Sequence, residues 1–224
     1  MLHPVARSFD AGRSPPHLEG VLESLGGREA LREKRALVPG CGRGYDVETL
    51  AKYVAFATGL ELAPTAVKSA QEYLESRTVT NASVINDDFL SPKTDDTYDV
   101  GYGALSCAGR LLADCWPTHS SPLADYTFFC ALHPSMRNDW AKGWAHFINP
   151  GGILIATVFP VFTDDSGNPF NSKDTGPPWP VTPEDYQVLE KEGFELVSME
   201  RVSEGQSHPP RSGLEWVGVW RRLD

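Results

Sequence analysis

The chain has 224 residues, of which 41% are hydrophobic, so it can bury one full core, and we expect a single domain over residues 1–224. Its formal net charge of −10 argues against nucleic acid as a partner, because binding to phosphates needs clustered Lys and Arg. The four cysteines lack CxxC spacing, so we expect reduced thiols and no metal site. No apolar run reaches the ~20 residues that cross a bilayer, so we expect a cytoplasmic protein without membrane contact.

The first predicted element is a short amphipathic helix from about Pro16 to Leu25, whose apolar residues recur at helical spacing. Gly26 and Gly27 follow it directly. Glycine readily adopts the left-handed conformation that closes helix C-termini, so these two residues are expected to end the helix.

An apolar strand then breaks into three alternating glycines and the start of a helix, over Arg35–Asp46. Gly40, Gly42 and Gly44 allow a sharp turn and a close approach of the backbone to a ligand. The next strand ends at Glu61, near the ~20 residues downstream at which a carboxylate accepts ribose hydroxyls in such βαβ units. The combination predicts a nucleotide-cofactor site, and the alternative is an ordinary strand-to-helix turn with an acid there by chance.

Strands and helices continue to alternate, which is typical of a parallel sheet with crossover helices. The further predicted strands are Val54–Glu61, Ala82–Asn86, a strand that begins at Tyr98, and Gly151–Phe159. The predicted helices are Asp46–Tyr53, Ala63–Arg77 and Ser135–Phe147. We therefore predict an α/β fold with one doubly wound, Rossmann-like and mostly parallel sheet.

The C-terminal part of the chain has a different pattern. Thr182, with Asp185 three residues later, forms a capping-box pattern for a helix to about Glu192. Phe194–Val202 and Leu214–Leu223 are predicted to be strands of a hairpin-like pair, so the sheet ends on an antiparallel strand. This ending, and a glycine turn one residue shorter than GxGxxG, argue against an NAD(P)-linked oxidoreductase.

The third predicted strand is followed by Asp88 and Phe89. An acid beside an aromatic ring at the end of a strand can bind and cover an adenine. The alternative is a solvated turn with the ring of Phe89 in the core. The residues alone leave both interpretations open.

With these elements in order, the sequence resembles the class I S-adenosylmethionine-dependent methyltransferases, and more narrowly the thiopurine and thiol methyltransferase family, which includes plant and fungal halide and thiocyanate methyltransferases. The segments that carry the resemblance are RALVPGCGRGYDV as the first motif, GLELAP as the second, NDDFL as the adenine-contacting segment, and DYTFFCALHPSMRNDWAKGW after the fourth strand. The resemblance extends from about Phe9 to Leu223 and implies the class I methyltransferase fold.

The resemblance also implies S-adenosyl-L-methionine as the cofactor and a thiol, thiocyanate, hydrosulfide or halide as the small-molecule acceptor. The alternatives are transfer to oxygen or nitrogen of a secondary metabolite, and a non-catalytic truncated member of the family. No catalytic residue is assigned, and we expect a monomer. The cofactor-binding residues implied by the resemblance are Gly40 and Gly42 at the methionine half, Glu61 at the ribose, Asp88 and Phe89 at the adenine, Tyr126 beside the methyl donor, and Phe9 in place of a lid tryptophan.

The sequence departs from the family pattern in two places. Residues 1–27 hold only part of an N-terminal lid, with Phe9 where the family tends to have tryptophan. Residues 101–124 form an atypical insertion between Val100, where the fourth strand is predicted to stop, and Asp125. Such an insertion interrupts a central strand, and we interpret it either as a specialised loop or as an artefact of the gene model.

The acceptor side has few clear signals. A soft anionic nucleophile needs little or no general base, which fits a sequence without an obvious catalytic dyad. His133 is either part of the acceptor site or a structural residue, and Arg137 either steers an anionic acceptor or is a surface helix charge. The segment Pro160–Pro180, with Trp179, is a candidate wall of the acceptor pocket, and the alternative is an ordinary long loop.

Overall fold

A computed structural model describes residues 12–103, 128–163, 169–170 and 178–223. Its main feature is a seven-stranded sheet with strand order β3-β2-β1-β4-β5-β9-β8. The strands are β1 Arg35–Pro39, β2 Phe56–Glu61, β3 Ala82–Asn86, β4 Tyr98–Gly103, β5 Ile148–Val158, β8 Phe194–Arg201 and β9 Trp216–Arg222, and a separate pair is formed by β6 Phe162–Thr163 and β7 Pro169–Phe170.

Helices connect the strands and cover both faces of the sheet. The α-helices are α1 Pro16–Ser24, α2 Gly27–Leu31, α3 Tyr45–Ala51, α4 Pro64–Ser76, α5 Phe128–Ala131 and α6 Arg137–Phe147. The 3₁₀ segments are Pro134–Met136, Pro183–Glu192, Glu204–Gln206 and Pro209–Arg211. The predicted elements are confirmed with ends that differ by a few residues, and β3 has the predicted bounds.

The sheet is parallel over its first five strands and antiparallel at its C-terminal end. Strand β1 pairs in parallel with β2 on one side and β4 on the other, and the same direction continues to β3 and β5. Strand β9 runs antiparallel between β5 and β8. The predicted doubly wound, mostly parallel fold is therefore confirmed, and the strand order reverses beside β1, where open α/β sheets bind ligands at the carboxyl ends of their strands.

Two apolar layers hold the sheet between its helices. On one face, α6 and the Pro183–Glu192 segment bury large aromatic rings, and these are Trp140, Trp144, Phe147 and Tyr186. On the other face, α1, α3 and α4 bury mainly aliphatic side chains, among them Leu18, Leu22, Val47, Leu50 and Leu74. The carboxyl edge of the parallel strands is thus positioned by packing on both sides.

The expectation that the fourth strand stops at Val100 is wrong. Strand β4 continues to Gly103, and Gly101 and Gly103 pair with β5 in register. A Cβ at Gly101 would lie 2.5 Å from the ring of Trp144, so glycine is needed there to admit the indole. Residues 101–103 of the expected insertion therefore belong to the sheet, and residues 104–124 lie outside the described part of the chain.

The capping box predicted at Thr182, in the C-terminal part of the chain, is confirmed. The backbone N–H of Thr182 donates to Oδ2 of Asp185 at 2.9 Å, and Gly193 ends the segment with φ +82°. Helix α2 was not predicted, because Gly26, which ends α1 with φ +99°, lies directly before it.

Within the parts of the chain that the structure describes, no helix combines the length and apolarity that a membrane span needs.

Candidate functional site

The glycine turn between β1 and α3 has the conformation predicted from the sequence. Gly40, Gly42 and Gly44 have φ of +62°, +50° and +85°, in the left-handed region that favours glycine. The turn is closed by backbone hydrogen bonds from Gly40 to Leu60 at 2.6 Å and from Gly44 to Cys41 at 2.8 Å. The β1-to-α3 connection thus needs glycine at each of the three positions.

The turn packs tightly on strand β2. A Cβ at Gly59 of β2 would lie 2.6 Å from Sγ of Cys41, so the thiol occupies the space that this glycine leaves. Cys41 is buried, and burial raises the pKa of its thiol well above the ordinary value. Cys41 therefore has a packing role and is a poor nucleophile.

Glu61, the last residue of β2, lies directly against this turn. Its Oε2 accepts a hydrogen bond from the N–H of Gly42 at 3.2 Å, and its Oε1 accepts one from the N–H of Ala63 at 3.0 Å. The residue is 1% exposed. The structure therefore brings together two of the residues predicted to bind the cofactor, and their carboxylate and N–H groups face one another.

The environment of Glu61 favours its protonated form. Burial raises the pKa of its carboxyl from an ordinary value of 4.5 to about 7, although the N–H groups of Ala63 and Gly42 act in the opposite direction. A carboxyl with this pKa changes its charge near neutral pH. Its ionisation state is therefore sensitive to any ligand that supplies hydroxyl donors or positive charge.

The carboxyl end of β3 is joined to that of β2. The backbone N–H of Asp87 and the side-chain amide of Asn86 both donate to the carbonyl of Glu61, at 3.2 and 2.9 Å. Asp88 is half-buried there, and its Oδ1 accepts the N–H of Leu90 at 3.0 Å. Asp88 therefore lies at the same edge of the sheet as Glu61.

Phe89 does not lie at the open edge with these residues. It is 4% exposed, and its ring centroid lies 4.9 Å from that of Phe128, 5.0 Å from that of Trp144 and 5.4 Å from that of Phe147. The ring is a core side chain, as the alternative interpretation had it. The ring packs among core side chains, and its expected contact with the adenine stays a prediction.

The two remaining predicted residues, Phe9 and Tyr126, lie outside the described residues. On the C-terminal side of Phe9, Ser14 is anchored to α3, which follows the glycine turn. Ser14 donates to Oδ1 of Asp46 at 2.5 Å, in the first turn of α3 after the glycine turn, and Thr49 donates to Ser14 at 2.9 Å. Burial raises the pKa of Asp46 to about 6.

A buried polar group that the sequence did not reveal lies near the carboxyl ends of β4 and β5. Oγ1 of Thr157 is 3.0 Å from Nε2 of His17 and 3.2 Å from the hydroxyl of Tyr102. Burial lowers the pKa of His17 to about 4, so the imidazole is neutral at pH 7. These residues are distant in sequence, and no local pattern connects them.

A second buried polar group lies beside Phe159, the residue after β5. The guanidinium of Arg211 lies 4.8 Å from the centroid of the Phe159 ring and 3.8 Å from Glu215, which also accepts a hydrogen bond from Ser207. Burial and the charge of Arg211 lower the pKa of His208 to about 4. The arrangement places a buried guanidinium and a neutral imidazole near the end of β5.

Arg137 is not the surface charge considered as an alternative. The residue is 7% exposed, its Nη1 lies 2.7 Å from Oδ1 of Asp185, and its guanidinium lies 4.8 Å from the centroid of the Phe129 ring. Asp185 is also the residue of the capping box. Arg137 therefore joins α6 to the Pro183–Glu192 segment, and this structural contact explains it better than acceptor steering does.

His133 and Trp179 lie together beyond the end of β5. Their ring centroids are 5.2 Å apart with the planes at 84°, and the N–H of Trp179 donates to the carbonyl of Cys130 at 2.7 Å. Two residues later, the N–H of Val181 donates to the carbonyl of Pro160 at 3.1 Å. The structure thus brings together two residues that the sequence suggested separately for the acceptor side.

The residues at the ends of β1 and β2 fit a cofactor that contains a nucleoside. A left-handed glycine turn leaves room for a ligand against the backbone, and an enclosed carboxylate provides acceptors for hydroxyl groups. Among the described residues, no group of three or more His, Cys, Asp or Glu side chains is arranged to hold a metal ion.

The sequence matches the family model described as Thiopurine S-methyltransferase (TPMT) over residues 6–218. It is 30% identical over 97% of its length to "Probable thiol methyltransferase 2" of Arabidopsis thaliana, of which it covers 80%. It is also 30% identical over 96% of its length to "Thiocyanate methyltransferase 1" of Brassica oleracea, again covering 80%. The fold resembles N-methyltransferase NodS from Bradyrhizobium japonicum WM9, solved in complex with S-adenosyl-l-homocysteine, with a TM-score of 0.63, 15% identity, and coverage of 98% of this chain and 95% of that one.

Proposed function

Because the chain belongs to the thiopurine S-methyltransferase family, we propose that it transfers the methyl group of S-adenosyl-L-methionine to a small soft nucleophile such as a thiol, thiocyanate, hydrosulfide or halide. The observation that carries the cofactor side is the contact between Gly42 and Glu61. It joins a left-handed glycine turn to a buried carboxylate at the carboxyl ends of β1 and β2.

The described residues supply the functions that such a cofactor needs. S-adenosyl-L-methionine supplies a methyl group on a sulfonium, which an acceptor attacks in line. Gly40 and Gly42 leave the backbone open to the methionine half, and the carboxylate of Glu61 accepts the ribose hydroxyls. Asp88 lies at the next strand end, where the adenine would be bound. We keep Phe9, Phe89 and Tyr126 as proposed contacts on the resemblance alone.

Among the described residues, the two buried histidines are poorly suited to act as a general base. His17 and His208 have their pKa values lowered to about 4, so both are neutral and weakly basic at pH 7. Such groups are inefficient at removing a proton from an alcohol or an amine. Halides, thiocyanate and hydrosulfide need no such removal, and the protein has mainly to hold acceptor and donor in line.

We further propose a monomeric enzyme of the cytoplasm whose partner is the small-molecule acceptor. The acidic net charge of −10 does not favour nucleic acid. The described cysteines, Cys41 and Cys130, are buried free thiols, as suits a reducing compartment.

The proposal is tested by calorimetric titration with S-adenosyl-L-methionine and S-adenosyl-L-homocysteine, followed by turnover assays with thiocyanate, hydrosulfide and iodide. We expect saturable binding of both nucleosides, no saturable binding of NADH or NADPH, and release of S-adenosyl-L-homocysteine in proportion to methylated product. Binding without turnover on any soft anion or thiol would contradict the acceptor class. Micromolar binding of NADH would contradict the cofactor.

A further inference from the structure

The hydrogen bonds of His133 favour one tautomer of its ring. Its Nδ1 accepts the backbone N–H of Ser135 at 3.3 Å and lies 2.8 Å from Oγ of the same residue. A backbone N–H can only donate, so Nδ1 carries the lone pair and the neutral ring carries its proton on Nε2. His133 is exposed, and among the described residues none accepts a hydrogen bond from this Nε2.

Trp179 keeps the imidazole ring in place. The two rings meet edge to face with centroids 5.2 Å apart, and the backbone of Trp179 is tied to the carbonyl of Cys130 at 2.7 Å. His133 follows Cys130 by three residues, so both rings are held from the same short segment. The pair therefore presents a directed N–H donor beside a large polarisable ring.

The pair lies beside the residues that follow the carboxyl end of β5. The segment with Trp179 runs beside Pro160 through the bond of Val181, and α5 is linked to β5 through Tyr186. The Phe129 and Tyr186 rings stack at 4.1 Å, and the Tyr186 hydroxyl donates to the carbonyl of Thr157 at 3.3 Å. Since Gly42 and Glu61 occupy the ends of β1 and β2, a second substrate has its place near the ends of β4 and β5.

We propose that His133 and Trp179 bind the methyl acceptor and select small soft anions. This inference rests on the proposed function and adds the residues that recognise the acceptor. The Nε2–H of His133 donates a hydrogen bond to the anion, and the indole of Trp179 makes dispersion contacts with its polarisable sulfur or halogen atom.

The chemistry predicts on which kinetic constant these residues act. During transfer the acceptor's lone pair forms the new bond to the methyl carbon, while the carbon–sulfur bond breaks and its electron pair returns to the sulfonium sulfur. No proton moves when the acceptor is an anion. A hydrogen bond to the acceptor is strongest before its charge is lost, so it stabilises the ground state and lowers KM more than it changes kcat.

The test compares four variants by thiocyanate turnover and by calorimetric binding of thiocyanate to the protein saturated with S-adenosyl-L-homocysteine. His133→Asn keeps an acceptor for the N–H of Ser135 and replaces the Nε2 donor by the N–H groups of a shorter amide, which cannot reach the same point, and His133→Ala removes donor and acceptor together. Trp179→Phe keeps a ring with less polarisable area. The matched control is His146→Ala, an exposed histidine of α6 whose Nε2 lies 3.0 Å from the carbonyl of Thr94.

We expect His133→Asn and His133→Ala to raise the KM for thiocyanate and its dissociation constant by about tenfold or more, with kcat within about twofold of the parent. Trp179→Phe should give a smaller increase, and His146→Ala none. The affinity for S-adenosyl-L-methionine should be unchanged in all four. Equal KM values for His133→Asn and the parent would overturn the inference, and so would a parent protein that binds no thiocyanate, iodide or hydrosulfide.

The calorimetric arm separates this inference from the proposed function. A parent protein that binds thiocyanate through His133 but transfers no methyl group would contradict the proposed function and support the anion contact. Turnover that is insensitive to both His133 variants would support the function and overturn the contact.

Discussion

The backbone N–H of Gly42 donates to the carboxylate of Glu61 at 3.2 Å, across 19 positions of the sequence. This hydrogen bond joins the glycine turn to the end of the second strand. A position without a side chain, Gly42, and a buried carboxyl group, Glu61, thus lie against each other at the carboxyl ends of β1 and β2.

Glu61→Ala should weaken the binding of S-adenosyl-L-methionine by tenfold or more, because a charge-assisted acceptor worth about 1.5–3 kcal/mol is lost. Calorimetric titration measures the change, and circular dichroism checks that the fold is intact. Glu72→Gln is the control, since Glu72 is an exposed residue of α4 paired with Lys68. Unchanged affinity in a folded Glu61→Ala protein would remove Glu61 from the site.

Cofactor affinity should rise with pH up to about neutrality. The carboxyl of Glu61 has a pKa of about 7 in the protein without ligand, and it must ionise to accept hydroxyl donors beside a cationic sulfonium. Binding therefore releases a proton, about half of one at pH 7, and affinity should fall by up to about tenfold per pH unit below that. Titrations in buffers of different ionisation enthalpy measure the release, and Glu61→Gln should abolish it. A pH-independent affinity between pH 6 and 8 would refute the linkage.

Glu61→Gln should also make the unliganded protein more stable at pH 8. The pKa of Glu61 is raised from 4.5 to about 7 on folding, so the folded state binds the proton more tightly than the unfolded chain does. The contribution of Glu61 to the free energy of unfolding of the parent is therefore fully present below pH 4.5, and it is lost as the pH rises from 4.5 to about 7. The amide of Glu61→Gln stays neutral and does not lose this free energy, so we expect the variant to melt a few °C higher than the parent at pH 8. A variant that melts lower at pH 8 would show that the carboxylate is stabilised by its two N–H donors.

Gly44→Ala should lower the free energy of unfolding by about 1–2 kcal/mol, because φ is +85° at this position and a Cβ there is strained. The added Cβ would make only ordinary contacts, with Ala70 Cβ at 3.5 Å, so strain is the main cause. Denaturant unfolding measures the loss. Gly205→Ala is the control, since its added Cβ meets nothing within 4 Å and its φ is not left-handed. Equal losses in the two variants would contradict the explanation.

Arg137→Met and Asp185→Asn should each destabilise the fold, and a double-mutant cycle should give a coupling above about 1 kcal/mol. Removing one partner of an enclosed ion pair costs up to about 3–5 kcal/mol, and less here because the Asp185 side chain is 24% exposed. Urea unfolding of the four proteins measures the coupling. Independent effects would contradict the ion pair, and a rise in acceptor KM without loss of stability would restore Arg137 as an acceptor-steering residue.

The parts of the site that the sequence predicted are those with a local cause. A strand, a left-handed turn and a helix start follow one another in Arg35–Asp46, and the spacing to Glu61 is set by one crossover helix. The position of the Phe89 ring depends instead on Trp144 and Phe147, which no local pattern connects with it. The same holds for His17 and Thr157, which are 140 positions apart.

The extent of β4 could not be predicted for a related reason. Two glycines in Tyr98–Gly103 weaken any local preference for a strand. Gly101 is required by tertiary packing, since the indole of Trp144 occupies the space that a Cβ there would fill. A tertiary contact therefore overrides the local signal.

The position of β9 has a consequence for how the protein is made. Among the described strands, β8 pairs only with β9, and β9 also supplies the neighbour of β5. Residues 194–201 leave the ribosome before their partner exists, so this edge of the sheet must wait for residues 216–222. A nascent chain halted between the two segments exposes the free side of β5 and leaves β8 without hydrogen-bonding partners, which is the form that chaperones and proteases would meet.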